Sequence, residues 1–149
     1  MKNKLTTSYL NEIKQILHSA RQQAYAAVNS AMVEAYWKIG ERIVFEEQNG
    51  EGRAEYGKEI IKNLSVTLTN EFSSGFGERN IRNFRQFYLM FSDLEIWKSV
   101  ISKLTWTHIQ RALKITNDKA RLYYLTEAAE NHWSVRTLDR NISTLYYER

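Results

Sequence analysis

No proline occurs anywhere in the 149 residues, so the chain contains no residue whose covalent geometry forbids a helix interior. Only six glycines are present, β-branched residues are scattered, and no segment alternates at period two for long enough to make a strand. The expectation is an all-α, multi-helix domain over residues 1–149, with one long N-terminal helix and a helix-turn-helix-like unit. A chain of this length buries roughly two-thirds of the surface it exposes when unfolded. Its 43% hydrophobic and 26% charged residues are globular values.

The long helix is predicted from about Ser8 to Glu47. Leu10, Ile13, Leu17, Ala20, Ala24, Ala27 and Ala31 recur at alternating spacings of three and four, a heptad-like seam. Val28, Met32, Tyr36, Ile39 and Ile43 continue an apolar stripe. A seam of small residues lets another helix approach closely. The expected use is packing against the remaining helices of the same chain; the alternative is a homodimer through this helix, with Asn29 near the seam to fix register.

Gln48-Asn49-Gly50-Glu51-Gly52 reads as the turn that stops this helix. A second helix follows over about Glu55–Phe72, with Ile60, Ile61, Leu64, Leu68 and Phe72 on one face. Ser73-Ser74-Gly75-Phe76-Gly77 breaks it, and a third helix runs from about Glu78 to Phe91 with Gly77 as N-cap. Ser92-Asp93 starts a short helix to about Lys103. Thr105 or Thr107 caps one through Lys114, Asn117 or Asp118 caps one through Glu130, and Ser134 caps the last, through Tyr147.

Residues 1–78 carry 9 Lys and Arg against 10 Asp and Glu, whereas residues 79–149 carry 12 against 7. A basic second half suits a polyanionic partner. The pair of helices across Glu55–Phe91, joined by a short glycine-containing turn with Phe76 plugging the corner, has helix-turn-helix anatomy. At 100° per residue from Arg79, Phe84, Tyr88 and Ile81 fall at about 140°, 180° and 200°, and form the buried face. Asn83, Gln86 and Arg82 fall at about 40°, 340° and 300° and share the opposite face with Arg79. Arg, Asn and Gln are the side chains that read base edges or hold phosphates. Arg85, on the boundary, and Lys58 and Lys62, on the bracing helix, are expected to support them on the backbone. Ala120–Asn131 followed by Ser134–Arg140 is a second helix, turn and capped helix, with Arg136 and Arg140 one turn apart.

Catalytic chemistry finds no foothold. There are no cysteines, which removes disulfides, thiolate metal sites and thiol nucleophiles. His18, His108 and His132 lack metal-ligand spacing, and a structural hydrogen bond is the expected use of His108. The four tryptophans are expected as core anchors. Glu12-Ile13-Lys14 lies mid-helix with no partnering strand, so it is a solvated helix face rather than half of a nuclease site. No segment has the apolar length of a membrane span, the N-terminus lacks a signal-peptide core, and a cytoplasmic location is expected. No metal or cofactor is expected.

The sequence resembles the N-terminal domain of the YhcG family, in which a helical domain of this length precedes a PD-(D/E)XK nuclease domain. The resemblance lies in Tyr36-Trp37-Lys38-Ile39-Gly40, Glu55-Tyr56-Gly57-Lys58, Gly75-Phe76-Gly77-Glu78-Arg79-Asn80, Arg85-Gln86-Phe87-Tyr88, Leu104-Thr105-Trp106-Thr107-His108, Trp133-Ser134-Val135-Arg136 and Leu145-Tyr146-Tyr147-Glu148-Arg149. Gly77, Thr105 and Thr107 depart from it, standing where the family commonly has Ser. The resemblance implies a module that binds double-stranded DNA for a nuclease domain held in cis or in trans. No nuclease domain is expected within residues 1–149, and no catalysis of the chain's own.

Overall fold

In the computed structural model, residues 2–49 and 54–148 are described, and seven α-helices follow one another along them with no strand. They are α1 (Lys2–Asn49), α2 (Ala54–Phe72), α3 (Glu78–Met90), α4 (Leu94–Ile101), α5 (Trp106–Leu113), α6 (Asp118–Glu130) and α7 (Val135–Ser143). The turn expected at Gly50–Gly52 lies outside the described residues. The caps form where short polar side chains were available to accept orphan N–H groups. Thr105 caps α5, Asn117 caps α6 and Ser134 caps α7, while Gly77 precedes α3 with no side-chain bond. The last helix is shorter than expected. It stops at Ser143, and Leu145 adopts a left-handed φ of 56°.

The core is built around α3. Ile81 and Phe84 are fully buried on it, as the helical angles require, and so is Phe87, whereas Tyr88 is half-buried. Although α2 was expected as the bracing helix, α3 packs most extensively on α1. Gly40 makes this possible, because a Cβ there would lie 2.0 Å from the Phe84 carbonyl oxygen and 3.0 Å from the Tyr88 Cβ. One turn earlier, Tyr36 stacks on Phe84 with ring centroids 4.4 Å apart, and Trp37 Nε1 donates to the Phe91 carbonyl at 2.7 Å. Two turns later, Glu47 receives Arg85 in a bidentate ion pair at 2.6 and 2.9 Å. Residues of Tyr36-Trp37-Lys38-Ile39-Gly40 and Arg85-Gln86-Phe87-Tyr88 are thus the two sides of one helix crossing.

One apolar cluster lies on each side of α3. Ile43, Ile61, Ile81 and Phe84 pack with Phe76, which fills the corner between α2 and α3 as expected. Val33, Trp37, Phe87 and Phe91 pack with residues of α4 to α7, including Ile109, Tyr124, Leu125 and Leu138. The indole of Trp106 touches both clusters, with its ring 5.0–5.5 Å from Tyr36, Phe84 and Phe87. The tryptophans are packing anchors.

The first half of α1 departs from expectation. Every side chain from Thr7 to Asn29 is exposed, including Leu10, Ile13, Leu17, Ala20, Ala24 and Ala27. The heptad seam is not packed against the other helices of this chain. The physical reason is that α1, at 48 residues, is about 72 Å long, and the six shorter helices cover only its second half. No helix among the described residues is long and apolar enough to cross a membrane.

Candidate nucleic-acid interface

The outward face of α3 does not stand free; α5 lies beside it. Between them runs a groove of about 400 Å³, lined by Arg79, Asn80, Asn83 and Gln86 of α3 and by Gln110, Arg111, Leu113 and Lys114 from α5 and its C-cap. Three of these eight residues are cationic and none is acidic. Arg79 and Lys114 are exposed, while Asn83, Gln86, Gln110 and Arg111 are half-buried. Neither Arg79 nor Lys114 has an ion-pair partner among the described residues. The opposite wall was not evident from sequence, because Gln110, Arg111 and Lys114 join the site only once α5 is known to flank α3. Their one local signal is that Arg111 and Lys114 are three apart, and so share a helix face.

Asn80 joins the two walls. Its carboxamide oxygen accepts from Trp106 Nε1 at 3.0 Å and from Gln110 Nε2 at 2.9 Å, while its nitrogen donates to the Gly75 carbonyl at 2.7 Å. One side chain therefore ties the α2–α3 turn to α5 and fixes the width of the groove. A second tie holds α5 from behind. The Nε2–H of His108 donates to the Trp133 carbonyl at 2.7 Å, and Nδ1 accepts from the Thr105 backbone N–H at 3.1 Å. The assignment follows because a carbonyl only accepts and a backbone N–H only donates. His108 completes a capping box with Thr105, the structural role expected for it.

The remaining candidates are distributed differently. Arg82 is exposed beside the groove and lies 3.9 Å from Glu78, a solvent-screened pair on the same helix. Arg85 does not reach the groove. Its guanidinium pairs with Glu47 at the α1–α3 crossing, at 2.6 Å, and is partly exposed there. Lys58 and Lys62 are exposed on α2 and are not among the residues that line the groove. Arg136 and Arg140 are exposed on α7, where the intervening Asp139 holds Arg111 at 3.0 Å. Among the described residues, no three His, Cys, Asp or Glu side chains come together as metal ligands.

A family model, the DUF1016 N-terminal domain, matches residues 12–149. The chain is also 35% identical to a protein of Escherichia coli (strain K12) named "Putative nuclease YhcG", over an alignment of 163 positions. That alignment covers 90% of this chain and 44% of the relative, so the chain spans less than half of the relative's length. No solved structure matches it.

Proposed function

The chain belongs to the DUF1016 N-terminal domain family, and we propose that it binds duplex DNA along the α3–α5 groove on behalf of a nuclease domain. The observation that carries this reading is the convergence of Arg79, Lys114 and Arg111, the last ion-paired with Asp139, with four carboxamides, Asn80, Asn83, Gln86 and Gln110, on a groove with no acidic lining residue. Cations release condensed counterions when they replace them at phosphates, which gives affinity. Carboxamides offer a donor and an acceptor side by side, which suits a base edge or a phosphate and its neighbour. The similarity to a protein named as a nuclease supports nucleic acid as the polyanion.

In this reading Arg79, Arg82 and Lys114 on the rim contact phosphates. Asn83 and Gln86, recessed in the groove, meet whatever edge of the duplex the rim positions there, and Lys58 and Lys62 add peripheral backbone contacts. Because α5 flanks α3, the outward face of α3 would meet the duplex as one wall of a groove and not as an isolated recognition helix. The nuclease domain, in cis or in trans, supplies the chemistry and the site of action is cytoplasmic; no catalytic step is assigned to residues of this chain.

The test is a double substitution, Arg79→Ala with Lys114→Ala. It is expected to lower the salt slope of duplex binding by about two contacts without lowering the melting temperature. An unchanged slope would remove the groove as the interface, whatever the affinity of the whole chain.

A further inference from the structure

The apolar surface of α1 changes sides along its length. At 100° per residue, Val33, Trp37, Gly40 and Ile43, which face the core, centre about 180° away from the seam that runs from Leu10 to Ala31. The polar residues of the exposed half, among them Asn11, Gln15, His18 and Gln22, occupy the azimuth that the core uses further along. The protruding half is therefore amphipathic in its own right, with its apolar side turned away from the body. Leu10, Ile13 and Leu17 are 46%, 38% and 54% exposed, and Tyr9 and Ile16 beside them 63% and 67%. With the seam alanines this amounts to several hundred Å² of apolar surface, comparable to the ~800 Å² per partner of a stable interface.

We propose that this face is covered by a second copy of the chain, in an antiparallel two-helix coiled coil over residues 7–30. The seam is large at its N-terminal end and small at its C-terminal end, and that asymmetry is self-complementary only in the antiparallel sense. With the dyad between residues 18 and 19, Leu10 meets Ala27 of the other copy, Ile13 meets Ala24, and Leu17 meets Ala20. Each layer then pairs one large residue with one alanine, so the axes keep a constant spacing within the 8–10 Å range of helix pairs. A parallel pair would set Leu against Leu at one end and Ala against Ala at the other, and would bring Lys38 and Arg42, which follow the seam on the same azimuth, against their own copies.

The pairing also sets Lys14 beside Arg21 of the other copy on one flank. Like charges there repel through water, so added salt strengthens the dimer by screening them. This dependence is opposite in sign to that of DNA binding, and the dimer stands or falls separately from the groove.

The test uses the whole chain. Sedimentation equilibrium is expected to give twice the monomer mass at micromolar concentrations, with tighter association as salt is raised. Leu17→Glu is expected to abolish the dimer while leaving helical circular dichroism unchanged, because Leu17 touches nothing in its own chain's body. Orientation is read by crosslinking, since the chain has no cysteine of its own. Under a mild oxidant, Ile13→Cys and Ala24→Cys are each expected to stay uncrosslinked alone and to form a disulfide when mixed. A monomer at all concentrations and salts, a dimer indifferent to Leu17→Glu, or self-crosslinking of each variant alone would overturn the proposal.

Discussion

The carboxamide oxygen of Asn80 accepts a 3.0 Å hydrogen bond from the indole nitrogen of Trp106, and through it the α2–α3 corner is fixed to α5. Trp106 is anchored in turn among Tyr36, Phe84 and Phe87. The rim of the groove is thus referenced to the centre of the core rather than to a loop. Asn80→Ala leaves the half-buried Trp106 indole N–H without this acceptor and is expected to cost about 1–3 kcal/mol. Asn80→Asp keeps the acceptor for Trp106 and Gln110 but sets a carboxylate oxygen against the Gly75 carbonyl, which only accepts, so it too is expected to melt below the native chain. Thermal denaturation followed by circular dichroism checks both.

Gly40→Ala distinguishes a packing glycine from a merely tolerated one. In a solvent-exposed helix this substitution stabilises by up to about 1 kcal/mol. Here the added Cβ would meet the Phe84 carbonyl oxygen at 2.0 Å, and a backbone atom cannot move aside without shifting α3. The expected result is a loss of about 2 kcal/mol or more and a lower melting temperature. A higher melting temperature would mean that α1 and α3 do not cross at this point.

Arg85→Ala and Arg79→Ala are expected to separate stability from binding. Arg85 holds Glu47 with two hydrogen bonds, but the pair is partly solvated, so its loss is expected to cost about 1 kcal/mol and to leave the salt slope unchanged. Arg79 has no such partner, so its loss should lower the slope by about one contact at constant stability. Melting curves and salt titrations on the two variants, run side by side, give both readouts.

His108→Ala removes half of the α5 capping box and the bond to the Trp133 carbonyl, which joins α5 to the turn before α7. The expected cost is about 2 kcal/mol. Hydrogen exchange should show it first in the amides at the start of α5, where the cap is lost.

Much of the fold was legible because its determinants are local. The caps at Asn117 and Ser134, the Phe76 plug and the buried face of α3 follow from side-chain type and a 3.6-residue period. The Gly75–Asn80 segment stood out as a motif, but the reason, that Asn80 spans from Gly75 to α5, requires tertiary structure. The same limit hid Gln110, Arg111 and Lys114, whose relevance depends on which helix lies beside α3. It also hid the partner of Arg85, a glutamate 38 residues earlier. The α1 seam shows the limit from the other side. Its heptad spacing was plain in Leu10–Ala31, yet periodicity states only that a helix face is apolar, not what lies across it. The overlong α7 arose because no glycine or proline marks its end; Leu145 turns left-handed without either.

The most direct measurement is fluorescence anisotropy of the purified chain with a labelled random duplex, over a series of salt concentrations. Binding through Arg79, Arg82 and Lys114, with peripheral contacts from Lys58 and Lys62 and with Arg111 shared with Asp139, predicts micromolar or tighter affinity at low salt and a slope of about −3 to −5 in log K against log salt. Absence of binding at low salt, or binding that does not weaken as salt rises, would contradict the assignment of the groove to DNA.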